Sequence, residues 1–389
     1  GHDIPACEMI FELAKGYDRP VLLHFNTVKG KGMPEAEENP TKYHQMSPRS
    51  EAERPKARTW SEAASALTEQ LAKADPRIVC LTAAMATGVK LEHFRSEFPD
   101  RFFDVGIAES HMLTLAAGMA AGGMRPWVFI YSTFLQRAMD QLTHDIALQD
   151  LPVVLMVDRA GLVGEDGPTH HGAFDIAALR TVPNLTLSSP MDECELRRLM
   201  YTAQLPESGP FVIRYPRGAG SRTDWRCPLE AVEIGRGRLL RRGDGSLAVL
   251  TFGPLGAEVA GLLDRLAAEH PAAPGALDFE GGAPAEGRIT HVDLRFAKPL
   301  DETLIINIAR HHRHVIVIED GAREGGIGSA VLELLSDRNI TVPLRRFGLP
   351  DRFIEHGSVA LQRADCGMDS ESFARAFVEA LTSPDGPHH

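Results

Sequence analysis

The chain has 389 residues, 43% of them hydrophobic, and a formal net charge of −12. At roughly 100–200 residues per domain this length allows two or three domains with sizeable cores. The acidic balance excludes a general nucleic-acid surface, which needs a basic face, but leaves room for a local basic pocket that takes a phosphorylated small molecule. No apolar run approaches the ~18–20 residues of a membrane span, and "GHDIPACEMIFELAKG" lacks the basic and apolar regions of a signal peptide. The cysteines (Cys7, Cys80, Cys194, Cys227, Cys366) are odd in number and widely spaced. With no CxxC pair, a disulfide framework or zinc knuckle is disfavoured, and a reducing, cytoplasmic compartment fits best.

In chain order, residues 1–33 read as a helix already under way at Gly1, a turn at "YDRP", the strand "PVLLHFNTV" and the basic turn "KGKGM". The start, without an initiator Met, is expected to be a cut or partial one. Residues 34–58 are polar and Pro-rich, a linker. "TWSEAASALTEQLAKADP" has helical spacing, with Ala64, Leu67, Leu71 and Ala72 on one face, and "RIVCLTAAM" is a buried strand. Phe102–Val105 is a short strand leading into an Ala/Gly-rich helix, and "RPWVFIY" is another strand. "STFLQRAMDQLTHDIALQ" reads as one helix, with Leu135, Met139, Leu142 and Ile146 on one face. The strand Val153–Val157 follows, then the loop "GEDGPTHHGAFD". "LTLSSP-MDECELRRLM" is strand then helix, with Ser189 as N-cap and Pro190 at the first helical position. "GPFVIRYPRG" closes the unit.

After a second linker over 217–235, strands "LAVLTFG", "ITHVDLRF" and "HVIVIED" and the helix "GIGSAVLELLSD" repeat the rhythm. The expected class is therefore α/β, a doubly wound, mostly parallel sheet followed by a smaller α/β C-terminal domain. "HPAAPGALDFEGGAPAEGR" within that second domain is expected to be a mobile surface loop.

Each chemical motif has a plain structural reading beside it. "GDG" at Gly243–Gly245 reads as a hairpin turn between "GRGRLLRR" and "SLAVLTF", since no helix N-terminus follows to receive phosphate. "GGIGSAV" at Gly325–Val331 is a damaged GxGxxG, better explained by strand-to-helix packing. "KGKGM" is either a solvated basic turn or a phosphate contact, evenly balanced. Glu109 in "GIAESH" stands in the first turn of a helix, either as a helix-stabilising acid or as a carboxylate in a dry site that holds a proton or a ligand. Tyr131, Phe134 and Arg137 lie beside a strand's carboxyl end, where open α/β sheets bind ligands; core aromatics and a surface Arg are the default. In the loop, adjacent His170 and His171 point in different directions, and no HxxxH or HxH supports zinc. General acid–base work by one histidine is more plausible.

"FFDVGIAESH", "IYSTFLQRAMDQLTHDIALQDLPVVLMVDRAGLVGEDGPTHHGAFD", "VIRYPRG" and "GLPDRFIEHG" together resemble the 1-deoxy-D-xylulose-5-phosphate synthase family, thiamine-diphosphate-dependent relatives of transketolase, over about residues 1 to 375. The resemblance implies decarboxylation of pyruvate and transfer of the two-carbon unit to D-glyceraldehyde 3-phosphate, the first step of non-mevalonate isoprenoid synthesis. By the same resemblance, Glu109 hydrogen-bonds the aminopyrimidine nitrogen and Phe134 stacks on that ring. Tyr131, Arg159, Arg217 and Arg137 belong to the acceptor site, with Arg159 and Arg217 pairing the phosphate. Asp166 and His170 assist proton transfer at the nascent alcohol, and Lys29, Met33 and His44 lie near the cofactor. Ser110 stands where the family usually has Gln, His171 where it has Gln, and Met33 where it commonly has an aromatic; His171 is expected to be a bystander.

The family's Gly-Asp-Gly with a downstream Asn, which binds magnesium and the diphosphate, has no counterpart. Residues 1–55 are therefore expected to be the tail of a missing diphosphate-binding domain plus linker, 56–228 the pyrimidine-binding domain, and 229–389 the C-terminal domain. The chain alone is expected to be inactive, with a homodimeric whole as the family implies. Alternatives are a beta-type subunit of a split thiamine enzyme, of transketolase or 2-oxoacid dehydrogenase type, or an inactive binding fragment.

Overall fold

The computed structural model describes residues 1–40, 43, 58–206, 208–222 and 224–383. The chain divides into two units, Gly1–Pro55 and Lys56–His389.

In the first unit a helix spans Ile4–Lys15. It is not already under way at Gly1: the Asp3 carboxylate accepts the Ala6 N–H at 3.0 Å and caps it. "PVLLHFNTV" forms no strand among the described residues. It is extended in sequence character but pairs with no ladder, and Val28 N–H instead donates to His2 Nε2 at 2.6 Å. Ile4, Met9, Phe11, Leu13 and Leu22 are all exposed, Leu22 by 94%.

The second unit opens with a helix at Trp60–Ala74, started by a capping box in which Thr59 and Glu62 exchange hydrogen bonds. Twelve strands follow among the described residues: β1 (Ile78–Thr82), β2 (Phe102–Asp104), β3 (Arg125–Tyr131), β4 (Val154–Asp158), β5 (Thr186–Ser188), β6 (Phe211–Arg214), β7 (Arg238–Arg241), β8 (Leu247–Phe252), β9 (Ile289–Asp293), β10 (Phe296–Lys298), β11 (His314–Ala322) and β12 (Leu344–Leu349). A seven-stranded sheet runs in the order β10-β5-β6-β4-β3-β1-β2, and a five-stranded sheet in the order β12-β11-β8-β9-β7. β1 to β6 are parallel, and β10 joins antiparallel on β5. Every residue of β1, β4, β6 and β8 is buried, the continuous apolar pattern of strands covered on both faces.

Four expectations change. The segment after β3 is not one helix: short α pieces at Ser132–Leu135 and Met139–Gln141 alternate with a 3-10 turn at Gln136–Ala138 and a π-helical turn at Leu142–Ala147. Its apolar face is still buried at Leu135, Leu142 and Ile146, although the hydrogen-bond pattern along it changes from piece to piece. The helix expected to begin at Pro190 spans Glu193–Ala203 and is capped by Asp192, which accepts Glu195 N–H at 2.9 Å; Ser189 Oγ donates to the Arg214 carbonyl instead. Gly243–Gly245 is no hairpin turn but an irregular stretch ending in a bend, because β7 and β8 both pair with β9 and not with each other. The Pro271–Gly287 stretch is anchored: Asp278 is buried and pairs with Arg242, and the Phe279 ring sits 4.8 Å from His312.

Candidate active site

Parallel strands deliver their carboxyl ends to one edge of the seven-stranded sheet, the place where α/β sheets form ligand crevices. Glu109 opens the helix Glu109–Ala121 after β2. Tyr131 ends β3, with Phe134 and Arg137 just beyond it. Arg159 follows β4, and Arg217 comes three residues after β6.

Glu109 is only 5% exposed and lies at the positive end of its helix dipole. The turn before it needs glycine, with Gly106 at φ +70°. Arg137 Nη1 donates to Glu109 Oε1 at 2.7 Å, and the Arg137 guanidinium lies 5.3 Å from the Phe134 ring centre. The departure at Ser110 has a structural consequence: its hydroxyl donates to the Arg137 carbonyl at 2.7 Å and ties the helix start to the irregular segment that carries Arg137. Phe134 lies 5.6 Å from Tyr131 at 17° and meets His170 edge-on at 5.5 Å. Glu109, Arg137, Phe134, His170 and Tyr131 thus form one connected set.

Arg159 adopts φ +62°, an uncommon backbone for a non-glycine residue. Asp158 holds it there, accepting the Arg159 N–H at 2.7 Å and its Nη1 at 2.8 Å. Nη1 also reaches the Gly88 carbonyl at 2.9 Å, and the guanidinium lies 4.1 Å from the Tyr131 ring centre. Asp158 is completely buried and bound by the Ser61 hydroxyl at 2.7 Å. Burial pushes its carboxyl above the usual range, while Arg159 and Ser61 pull it back. Burial likewise raises the Tyr131 hydroxyl, keeping it a neutral donor.

The loop bearing Asp166 and His170 is closed at its neck. Gly161 N–H donates to the Gly172 carbonyl at 2.9 Å, and Gly172 N–H to the Gly161 carbonyl at 2.8 Å. Between them, two 3-10 turns meet at Gly167, whose φ 70°, ψ −159° is glycine territory. Asp166 pairs with Arg217 at 3.3 Å, and Arg217 Nη1 donates to the Val163 carbonyl at 2.6 Å. His170 Nδ1 lies 2.8 Å from Thr169 Oγ1. His171 turns the other way and is buried: Nδ1 accepts Val163 N–H at 3.2 Å, so Nε2 carries the proton to the Ile354 carbonyl at 3.1 Å. Burial lowers its pKa, which keeps that neutral tautomer. His171 is therefore a bracing residue and not an idle neighbour.

These residues fit the pyrimidine half of thiamine diphosphate: a buried acid at a helix start beside an aromatic ring. Arg159 Nε, buried and without a hydrogen-bond partner, suits an anionic oxygen. Among the described residues no group of three or more His, Cys, Asp or Glu could hold a metal ion. Lys29 and Met33 belong to the first unit; Met33 closes the Gly30 turn with a 3.0 Å backbone bond. His44 lies outside the described residues.

Sequence reasoning missed Asp158, although an acid ending a wholly apolar strand, in "VDR", was a usable signal. It also missed the buried fork of Arg214, which donates to Asp175 from β6 and to Asp320 on β11. There the partners lie 39 and 106 residues away, and no local pattern announces them.

Residues 56–222 match the family model for the transketolase pyrimidine-binding domain, and residues 286–372 that for the transketolase C-terminal domain. Among curated relatives, 1-deoxy-D-xylulose-5-phosphate synthase of Bacteroides thetaiotaomicron is 46% identical over 97% of this chain and 57% of its own length. The corresponding synthase 1 of Geobacter sulfurreducens is 44% identical over all of this chain and 59% of its own. The chain thus spans under two thirds of these relatives. A solved structure described as a split-gene transketolase, inactive beta4 tetramer, superposes with a TM-score of 0.69 at 26% identity, covering 84% of this chain and 99% of that one.

Proposed function

Because the chain belongs to the transketolase family, with 1-deoxy-D-xylulose-5-phosphate synthases among its relatives, we propose that it is the pyrimidine-binding and C-terminal part of such a synthase. The reaction is decarboxylation of pyruvate and transfer of the two-carbon unit to D-glyceraldehyde 3-phosphate. The observation that carries this is the connected set at the sheet edge: buried Glu109 linked through Arg137 and Phe134 to His170, with Arg159 and Arg217 close by.

Thiamine diphosphate supplies, when bound, the electron sink that decarboxylation of a 2-oxo acid needs. Glu109 would hydrogen-bond the aminopyrimidine nitrogen, and its burial keeps that bond away from water. Phe134 offers its ring to the pyrimidine. Arg159 and Arg217 take the acceptor's phosphate, an arrangement in which Arg's fork is geometrically matched. Arg217 now faces Asp166 and Glu165, so a dianionic phosphate competes with those acids for it. His170 and Asp166 then move the proton at the nascent alcohol oxygen.

Magnesium and the diphosphate fall to a further domain, in the same or a separate chain. The large apolar side chains left exposed in the first unit, Ile4, Met9, Phe11, Leu13 and Leu22 among them, support packing of that unit against such polypeptide. The 389 residues alone are inactive in this reading, the whole is a homodimer, and its compartment is the reducing cytoplasm, consistent with five unpaired cysteines. The likeness to a split-gene transketolase supports a second reading, a beta-type subunit with a separate partner chain. Reconstitution decides between them. Turnover of pyruvate and glyceraldehyde 3-phosphate is expected once the diphosphate-binding domain is joined, whereas turnover by the 389 residues alone would sink the fragment reading. Copurification of a partner carrying Gly-Asp-Gly and a downstream Asn would favour the split enzyme.

A further inference from the structure

We propose that Gln362, a residue of the C-terminal segment with no place in the chemistry above, is a positioning residue that locks the Gly161–Gly172 loop in the form that presents Asp166 and His170. The inference rests on the proposed role of those two residues. Gln362 sits in the helix Val359–Asp365 and is 3% exposed. Its side-chain amide pairs with the backbone of Gly164, 198 residues earlier. Oε1 accepts Gly164 N–H at 3.1 Å, and Nε2 donates to the Gly164 carbonyl at 2.9 Å. The second Nε2 hydrogen goes to the Glu355 carbonyl at 2.9 Å. A primary amide is the one side-chain group that offers an acceptor and two donors in this geometry.

The clamp grips where the loop is weakest. Gly164 has φ +84° and Gly167 φ +70°, two positions without the steric restraint of a side chain. Asp166 lies between them and His170 three residues beyond. The same C-terminal segment meets the loop at two further points: His171 reaches the Ile354 carbonyl, and a Cβ on Gly167 would stand 3.0 Å from His356 Cβ. Of the three contacts, only Gln362 binds both backbone groups of one loop residue. Because all its polar atoms are satisfied and buried, removing it exposes three groups to unmade bonds, not one.

Hydrogen exchange on the 389-residue chain tests the clamp without any turnover. In Gln362→Ala the peptide over 163–170 should exchange about tenfold faster or more, with β3 and β4 unchanged as the check on folding. Gln362→Glu is the sharper variant. Its carboxylate keeps the acceptor for Gly164 N–H but faces two carbonyls. After correction for intrinsic rates, its loop should exchange fast at pH 8 and approach wild type as the acid is protonated, while Gln362→Ala shows no such recovery. Unchanged loop exchange in both variants would overturn the clamp.

In the complete synthase, Gln362→Ala should lower kcat about tenfold or more with KM for pyruvate little moved, and the Gln362→Glu defect should shrink as pH falls. Faster loop exchange with wild-type turnover, in a preparation where Glu109→Ala is dead, would overturn the positioning role. If Glu109→Ala also turns over normally, the functional reading fails and the clamp stands.

Discussion

Arg214 gives the most quantitative expectation. It is wholly buried, and its Nε donates to Asp175, itself 1% exposed, at 2.9 Å; Nη1 donates to Asp320. Asp175 ends the "GEDGPTHHGAFD" stretch, and Asp320 packs against Gly161, where a Cβ would stand 2.8 Å from its Oδ2. One guanidinium therefore ties both flanks of the active-site loop to the two sheets. At an effective dielectric of about 20, a charge pair at that spacing attracts by roughly 6 kcal/mol, and desolvation of three buried charges offsets much of it. Arg214→Met leaves two acids uncompensated, and loss of one partner of a buried pair costs about 3–5 kcal/mol. For a unit of this size that lowers Tm by roughly 4–7 °C.

Urea denaturation followed by circular dichroism at pH 7.5 reads the loss. Protonating the stranded acids relieves their burial, so the deficit against wild type should shrink toward pH 4. The triple variant Arg214→Met, Asp175→Asn, Asp320→Asn should recover part of it. A single-variant cost below about 1 kcal/mol, or a deficit independent of pH, would refute the reasoning, because it would mean the two carboxylates were never dependent on Arg214.

Gly88→Ala should damage acceptor binding. A Cβ there would lie 1.7 Å from the Tyr131 hydroxyl, so the ring must move out from under Arg159. KM for glyceraldehyde 3-phosphate in the complete synthase is expected to rise about tenfold, the scale of a lost cation–π contact, with KM for pyruvate unmoved; an equal rise in both would contradict it. Acid should weaken the C-terminal sheet. Burial lowers His291 and His312 to about 4 each. The unfolded chain therefore binds more protons, and stability is complete above about pH 6.5 and lost as pH falls toward 4. Each accounts for on the order of 3 kcal/mol. Burial raises Glu319 to about 7 against two backbone N–H bonds, which acts in the opposite sense between pH 4.5 and 7. The net expectation is a fall of about 3 kcal/mol from pH 6.5 to 4.5, halved or abolished in His312→Gln. A flat profile in wild type would contradict it.

Strand after strand was legible because apolar runs bounded by turns leave little choice: β3 and β4 appear within a residue of their expected limits, while β1 stops at Thr82, three residues before the end of its apolar run. The positions of the candidate residues were legible for a related reason: Tyr131 ends a largely apolar strand, Arg159 and Arg217 follow others, and Glu109 opens the helix after β2, the edge where chemistry-bearing side chains in α/β sheets collect. What failed was whatever depends on distant partners. "PVLLHFNTV" has strand composition but no ladder among the described residues, and a strand is a pair, not a segment. The segment after β3 kept its buried face while losing its regular helix, since periodicity reports burial and not hydrogen bonding. Asp192 replaced Ser189 as cap because Ser189 is taken by the Arg214 carbonyl. Gln362 looks like an ordinary helix-surface residue until Gly164, far away in sequence, is brought against it.

Carbon dioxide release from pyruvate by the complete protein, with Glu109→Ala beside wild type, tests the functional reading most directly. If the buried carboxylate at the start of the Glu109–Ala121 helix governs the cofactor's proton, release falls nearly to background in the variant while urea stability stays within about 1 kcal/mol of wild type. Near-normal release from Glu109→Ala would contradict it.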